Sequence, residues 1–465
     1  MTEAYLSMAD YAGKLRSREL SAVALFDACE SRYQRTEPAL NAYKTWNGTA
    51  ARAQAQAADL LFGCGTDLGP LMGLPVSVKD LYGVPGMPVF AGSDRALPEA
   101  WQAAGPIVSE VSRQLGPITG KTHTVEFAFG GLGVNAHWGT PLNPWSTDGA
   151  RVPGGSSSGA GVSLAQGSAL LALGSDTAGS VRVPASLTGQ VGLLTTHGRW
   201  PADGIVPLSS SLDSPGLLCR TVEDAIYSFT ALDPRLTGRA DPVMTLKGVA
   251  GLRIGVPENY FWDEADPSIV ACVEAAIASL AHAGAKVTRL VLPHCDEAYD
   301  IFRQGGLAAS ELSAFMQLNF PEKVARLDPV VRARVEGADK VSSVEYLRRK
   351  SVLQRCGAGA AAVFADVDVL LAPTVAITPP KLADIAEANA YARANMLTLR
   401  NTSIVNLFGW CALSMPVGFD AQRMPVGLQL IGAPMTESRL LGIAGAFESH
   451  LGNGIKLLGA APCVR

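Results

Sequence analysis

The chain has 465 residues, 48% of them hydrophobic and only 17% charged, so it can bury a large core. Its 38 basic and 42 acidic residues leave a net charge of −4 with no long run of either sign, which argues against a nucleic-acid surface or an anionic-lipid anchor. No window reaches the ~18 uninterrupted apolar residues of a membrane span; even 358–377 is broken by Asp366 and Asp368. The opening Met1-Thr2-Glu3-Ala4-Tyr5 lacks the basic-then-apolar pattern of a signal peptide. Eight cysteines are scattered without a CxxC pair or a Cys/His cluster, so buried reduced thiols in a cytoplasmic protein are expected, and no structural zinc.

In chain order, Ser21 is placed to cap a helix over 22–35, and an alanine-rich helix follows over 48–61. Residues 73–80 read as a short buried strand, and 106–119 as a helix and turn, after which Lys121 begins a polar loop. Glycine, serine, threonine and proline dominate 120–220, yet with apolar punctuation that linkers lack. Within it, 159–165 can start a tightly packing helix and 169–173 a buried strand. Further strands are expected at 253–257, 286–292, 367–371, 412–417 and 426–431. Helices are expected at 267–283 and 437–449, and a helical stretch at 297–353. Strands alternating with helices predict a layered α/β fold.

Three residues stand in surroundings too rich in glycine for ordinary core. Lys79 ends the apolar run Leu74-Pro75-Val76-Ser77-Val78. Ser156 lies in Gly154-Gly155-Ser156-Ser157-Ser158-Gly159, and Ser180 closes Gly174-Ser175-Asp176-Thr177-Ala178-Gly179-Ser180. A serine needs a base to become a nucleophile, and a lysine serves only when desolvated and neutral. A loop such as 176–180 can turn successive backbone N–H groups toward one point, as a developing oxyanion requires. Each segment also has a plainer reading: Ser180 as a cap, Ser156 in a flexible turn, Lys79 reaching solvent beside Asp80. Residues 155–159 match G-x-S-x-G with Ser157 at the centre, but the polar, proline-ended 146–153 is not the strand that motif needs. The Walker lysine is missing as well. His123 and His137 share the region and leave a Ser-His-Asp arrangement open, though no local pattern supports it.

Taken together, these segments resemble the amidase signature family of serine hydrolases. The likeness rests on 73–80, 153–159 and 174–184, with the two serines 24 positions apart, and resumes at 192–198, 211–216, 406–417 and 425–432. It implies an α/β fold with a central mixed β-sheet covered by helices on both faces. The reading is one domain over 1–465, with 297–350 as a helical cover over the substrate. By that likeness Ser180 is the nucleophile, Ser156 the proton bridge, held through a cis Gly155–Ser156 peptide, and Lys79 the general base. Thr177, Ala178, Gly179 and Ser180 would supply the oxyanion hole, with no metal or organic cofactor. The family often has glycine where Ala178 stands, which is tolerable if φ there is negative. Asp176 and Arg182 are expected to pair structurally near the loop.

For the substrate pocket the candidates are Phe127, Phe129, Ser157 and Trp138, with Trp145 as a further aromatic wall. Arg303 is a candidate clamp for a substrate carboxylate, though an exposed helix arginine reads more simply. The expected reaction is hydrolysis of an amide-type carbon–nitrogen bond in a small molecule through an acyl-enzyme. The alternatives are an ammonia-releasing subunit of a glutamine amidotransferase complex, or a carbamate, allophanate or carboxybiuret-type hydrolase. Expected partners are a small-molecule amide and a second copy in a homodimer, with neither nucleic acid nor membrane.

Overall fold

The computed structural model describes residues 6–236 and 243–464; the opening pentapeptide lies outside the described residues. The strands are β1 Tyr43–Trp46, β2 Val76–Lys79, β3 Ile118–Thr122, β4 Leu171–Asp176, β5 Val191–Leu194 and β6 Ser214–Cys219. After these come β7 Arg253–Pro257, β8 Lys286–Leu290, β9 Val369–Pro373, β10 Cys411–Phe419 and β11 Pro425–Gly432. They form one 11-stranded sheet in the order β1-β3-β2-β4-β6-β5-β10-β11-β9-β7-β8. The sheet is mixed: β2 runs parallel to β3 and β4, and β7 to β8 and β9, while the other pairs are antiparallel.

Strands β2, β4, β6 and β11 are buried along their whole length, so they read as apolar runs rather than alternating patterns. The period of two still sorts their side chains. On β4, Leu171 and Leu173 join the main core with Phe229, Ile277 and Phe447 from helices on one face. Ala172 between them packs on the other face against Ala160, Leu164 and Ala185. Those last residues belong to the helices Ser158–Gln166 and Arg182–Thr188. The first of these packs closely because it is small: a Cβ at Gly159 would lie 2.0 Å from the Ala42 carbonyl oxygen.

The helix expected over 22–35 continues to Leu40 and is capped by Ser21 Oγ, which accepts from Ala24 N at 3.0 Å. The polar loop expected from Lys121 begins only after Thr122, where β3 ends, and Lys121 is buried in an ion pair with Asp80 at 3.1 Å. The long helical stretch resolves into Cys295–Arg303, Ala308–Asn319, Pro329–Ala338 and Ser343–Ala360. Gly305 and Gly306, with φ of 93° and 59°, break it once, and Pro321 and Pro329 break it again. The helix Ala388–Leu407 was not expected; its buried Asn401, Thr402, Ser403 and Asn406 hide the apolar period. Among the described residues the eight cysteines are all free and five are buried, while Cys64 is exposed. No described helix is long and apolar enough to cross a membrane.

Candidate active site

Lys79 is the last residue of β2, and the neighbouring β4 runs past it to Asp176. It does not reach solvent: the side chain is fully buried, and its Nζ donates to Ser156 Oγ at 2.7 Å and Ser175 Oγ at 2.9 Å. Asp80, its neighbour, is occupied by Lys121. Burial lowers the Lys79 amine to about 7, with the Asp213 and Asp176 charges pulling the other way. A large fraction of neutral amine is therefore present near neutrality. Ser156 follows a cis Gly155–Ser156 peptide. Ser157 N donates to the Ser180 carbonyl at 3.2 Å, which lays the two serine segments side by side. Ser180 Oγ makes no hydrogen bond among the described residues, so only the Lys79–Ser156 half of the expected relay is closed here. Such bonds commonly tighten only when substrate is present.

Asp176 organises the loop that carries Ser180. Its carboxylate accepts from Gly179 N at 2.6 Å and Val181 N at 3.1 Å, and pairs with Arg182 at 3.0 Å. Burial works to raise this carboxyl, but the Arg182 charge and the Arg182 and Asn406 hydrogen bonds hold it below the ordinary carboxylate range. Arg182 in turn donates to Gln429 and Asn406, each at 2.6 Å. On the other side, Thr402 Oγ1 donates to the Ala178 carbonyl at 2.7 Å. The Ala178–Gly179 peptide is thus pinned at both its oxygen and its N–H. Gly179 has φ 132°, and a Cβ there would meet Thr402 Oγ1 at 2.1 Å, so glycine is required. Its N–H is already committed to Asp176, whereas those of Thr177, Ala178 and Ser180 have no acceptor among the described residues. Ala178 is not among the residues of positive φ, in line with its replacing glycine.

Thr177, Ala178 and Ser180 border a cavity of about 310 Å³, whose walls include Phe129, Leu208, Leu212, Phe302, Arg303, Arg334 and Asn395. Of the aromatic candidates, Phe129 is on that wall. Phe127 is buried instead with Leu81, Val89 and Met316. Trp138 donates to the Ser93 carbonyl at 2.9 Å and packs on Phe90 and His123. Trp145 donates to the Thr188 carbonyl at 3.0 Å beside Phe419. None of these three borders the cavity. Ser157 is buried, and its side chain donates to the Ser175 carbonyl at 3.4 Å rather than facing the cavity. Arg303 does line the wall, but its side chain is 59% exposed and paired with Asp300. Neither histidine reaches a serine: His137 pairs with Glu126 at 3.0 Å, and burial lowers His123 to about 3, keeping it neutral.

Sequence reasoning missed two neighbours of Lys79. Ser175 sits inside the quoted glycine-rich motif, immediately before Asp176. Asp213 is half-buried, and desolvation pushes it up to about 6, against bonds from Thr177 Oγ1 at 2.5 Å, Leu208 N at 2.8 Å and Ser209 N at 2.9 Å. Its signal was the Ser211-Leu212-Asp213-Ser214 segment, which carried family likeness but no evident chemistry. Separately, His294, Glu297 and Cys356 bring side-chain ligand atoms within 4.8 Å of one another, although Arg355 already pairs with Glu297.

A family model described as amidase matches residues 24–441. The chain is 68% identical over 460 residues to a 2-amino-5-chloromuconic acid deaminase from Comamonas testosteroni, covering 99% of each chain. It is 35% identical to an amidase from Pseudomonas putida, covering 95% of each. The crystal structure of an amidase superposes with a TM-score of 0.86 at 27% identity, covering 96% of this chain and 100% of the other.

Proposed function

The chain belongs to the amidase family and hydrolyses amide-type carbon–nitrogen bonds, and from that premise we propose that it does so with Ser180 as nucleophile, Ser156 as proton bridge and Lys79 as general base. The observation that carries the reading is the buried Lys79 amine, 2.7 Å from Ser156 Oγ, beside a loop whose Ser180 opens on a cavity. Ser180 Oγ adds to the carbon that bears nitrogen, and its proton passes through Ser156 to neutral Lys79. The N–H groups of Thr177, Ala178 and Ser180 face the negative charge that develops on an amide oxygen, while the Gly179 N–H holds the loop in shape. Lys79 then returns the proton through Ser156 to the leaving nitrogen, and the C–N bond breaks. Water adds to the Ser180-bound carbon, gives up a proton by the same route, and frees the serine.

We take the substrate to be an aminated muconic acid, with ammonia as the leaving group, because of the 68% identity to the Comamonas testosteroni deaminase. In the imine tautomer of such an acid, the nitrogen-bearing carbon is electrophilic, as an amide carbon is. Ser180 Oγ adds to it, and the protonated nitrogen leaves as ammonia, with an electron pair from the serine oxygen forming the C=O⁺ bond. Water then adds to that carbon and releases Ser180 to give the keto acid. The helices between 297 and 350 serve in this reading as the substrate cover, since residues 302–310 and 333–349 supply much of the cavity wall. A cytoplasmic setting belongs to the same reading, supported by the five buried free thiols.

The test is ammonia release by the purified protein from 2-aminomuconate, beside a panel of aliphatic amides, aryl amides, carbamates and glutamine. Ser180→Ala is expected to lower turnover by about 10³-fold or more, and Lys79→Ala by orders of magnitude, with melting temperatures retained. Full activity in the Ser180→Ala protein would overturn the assignment.

A further inference from the structure

Three guanidinium groups border the cavity, and two are spent. Arg303 pairs with Asp300 and lies 5.8 Å from the Tyr299 ring. Arg349 pairs with Glu345 at 2.8 Å and donates to the carbonyls of Gln304 and Gly306. Arg334, on the helix Pro329–Ala338, differs. Its Nη1 donates to the Phe129 carbonyl at 2.6 Å and its guanidinium lies 4.9 Å from the Phe129 ring centre. It has no carboxylate partner among the described residues, so most of its five donors lack an acceptor on the protein.

A second donor stands at the same wall. Asn395 Oδ1 accepts from Gly131 N at 2.8 Å, which fixes which end of that amide faces away. The side chain is buried, borders the cavity, and its Nδ2 has no acceptor among the described residues. Arg334 and Asn395 are thus tied to positions 129 and 131 of one short segment, whose Phe129 and Gly130 also border the cavity. A partly buried guanidinium with free donors, an amide donor beside it, and apolar walls at Leu208, Leu212, Phe302 and Leu307 suit an apolar anion.

We propose that Arg334, with Asn395, forms the carboxylate-binding pole of the cavity and selects substrates that carry a carboxylate separate from the departing nitrogen. The proposal rests on the reading of this cavity as the substrate site. It goes beyond that reading by naming the residues that choose anionic over neutral substrates. The planar fork of arginine suits a carboxylate better than a lysine would.

The experiment is calorimetric titration of muconate, and of its uncharged dimethyl ester, into the wild-type, Arg334→Gln, Arg334→Lys and Asn395→Asp proteins. Muconate should bind the wild type, about 10- to 100-fold more weakly to Arg334→Gln, and with intermediate strength to Arg334→Lys. Asn395→Asp keeps the acceptor for Gly131 N but adds a negative charge, and should also weaken muconate. Ester binding should be unchanged in every variant that melts like the wild type. Equal binding of muconate to wild type and Arg334→Gln, or equal loss of both ligands, overturns the proposal, as does no muconate binding to the wild type. Should Arg334→Gln fail to fold, Asn395→Asp decides alone. Binding needs no turnover, so failure of the Ser180 assignment would show separately, in the activity of Ser180→Ala.

Discussion

At the scale of single residues, the proposed chemistry turns on the charge of Lys79. With the amine lowered to about 7, the competent neutral form grows as pH rises through that value, so kcat/KM should climb and then level off. A flat profile from pH 5 to 9 would count against a lysine base. Asp213 favours the charged amine, so Asp213→Asn should lower the Lys79 value further and move the rising limb to lower pH. The same change loosens the Thr177 anchor, so the plateau should fall as the limb moves. A limb that stays put would show that Asp213 does not act on Lys79. Much of this centre was legible beforehand, because Lys79, Ser156 and Ser180 lie in short motifs where glycine marks close backbone approach. Ser175 and Asp213 were not, since their importance comes from contacts across the sheet rather than from neighbours along the chain. The aromatic residues misled for the opposite reason. Proximity in sequence to the motifs said nothing about whether Phe127 or Trp138 would face the cavity or the core.

At the scale of elements, the loop is held by a polar network that joins β4, the helix Arg182–Thr188, the helix Ala388–Leu407 and β11. Arg182 is fully buried, and removing it leaves the buried Asp176 carboxylate without its counter-charge, held only by Asn406 and the loop N–H groups. Arg182→Met should therefore cost about 3–5 kcal/mol of stability, read from chemical denaturation. A loss under 1 kcal/mol would mean that Asn406 and the loop N–H groups satisfy Asp176 unaided. Most helices and buried strands were readable from apolar runs and caps, as at Ser21 and over 267–283. Strand β3 was not, because Thr119, Gly120, Lys121 and Thr122 look like surface yet are buried through the Lys121–Asp80 pair and hydroxyl bonds. The helix Ala388–Leu407 escaped for a related reason: its polar face points inward to serve the loop network.

At the scale of the whole molecule, the layered architecture followed from the alternation of strands and helices, but the order of strands in the sheet did not. Pairing between distant segments leaves little trace in a single sequence. The seating of the helices proposed to cover the cavity is likewise a packing result. Leu312, Met316, Val331 and Val335 sit in one cluster with Leu81, Val89 and Leu208, which seats two of its helices on the body.

Strands β10 and β11 come last in the chain, yet they stand in the middle of the sheet, between β5 and β9. A nascent polypeptide released after residue 410 would hold two half-sheets with no seam, each showing an unpaired inner margin to other molecules. Such a shortened protein should emerge insoluble or aggregated, as size-exclusion chromatography of the expressed product would reveal. Completion of the sheet is thus deferred until β11 has been made, and chaperones have until then to guard both open rims.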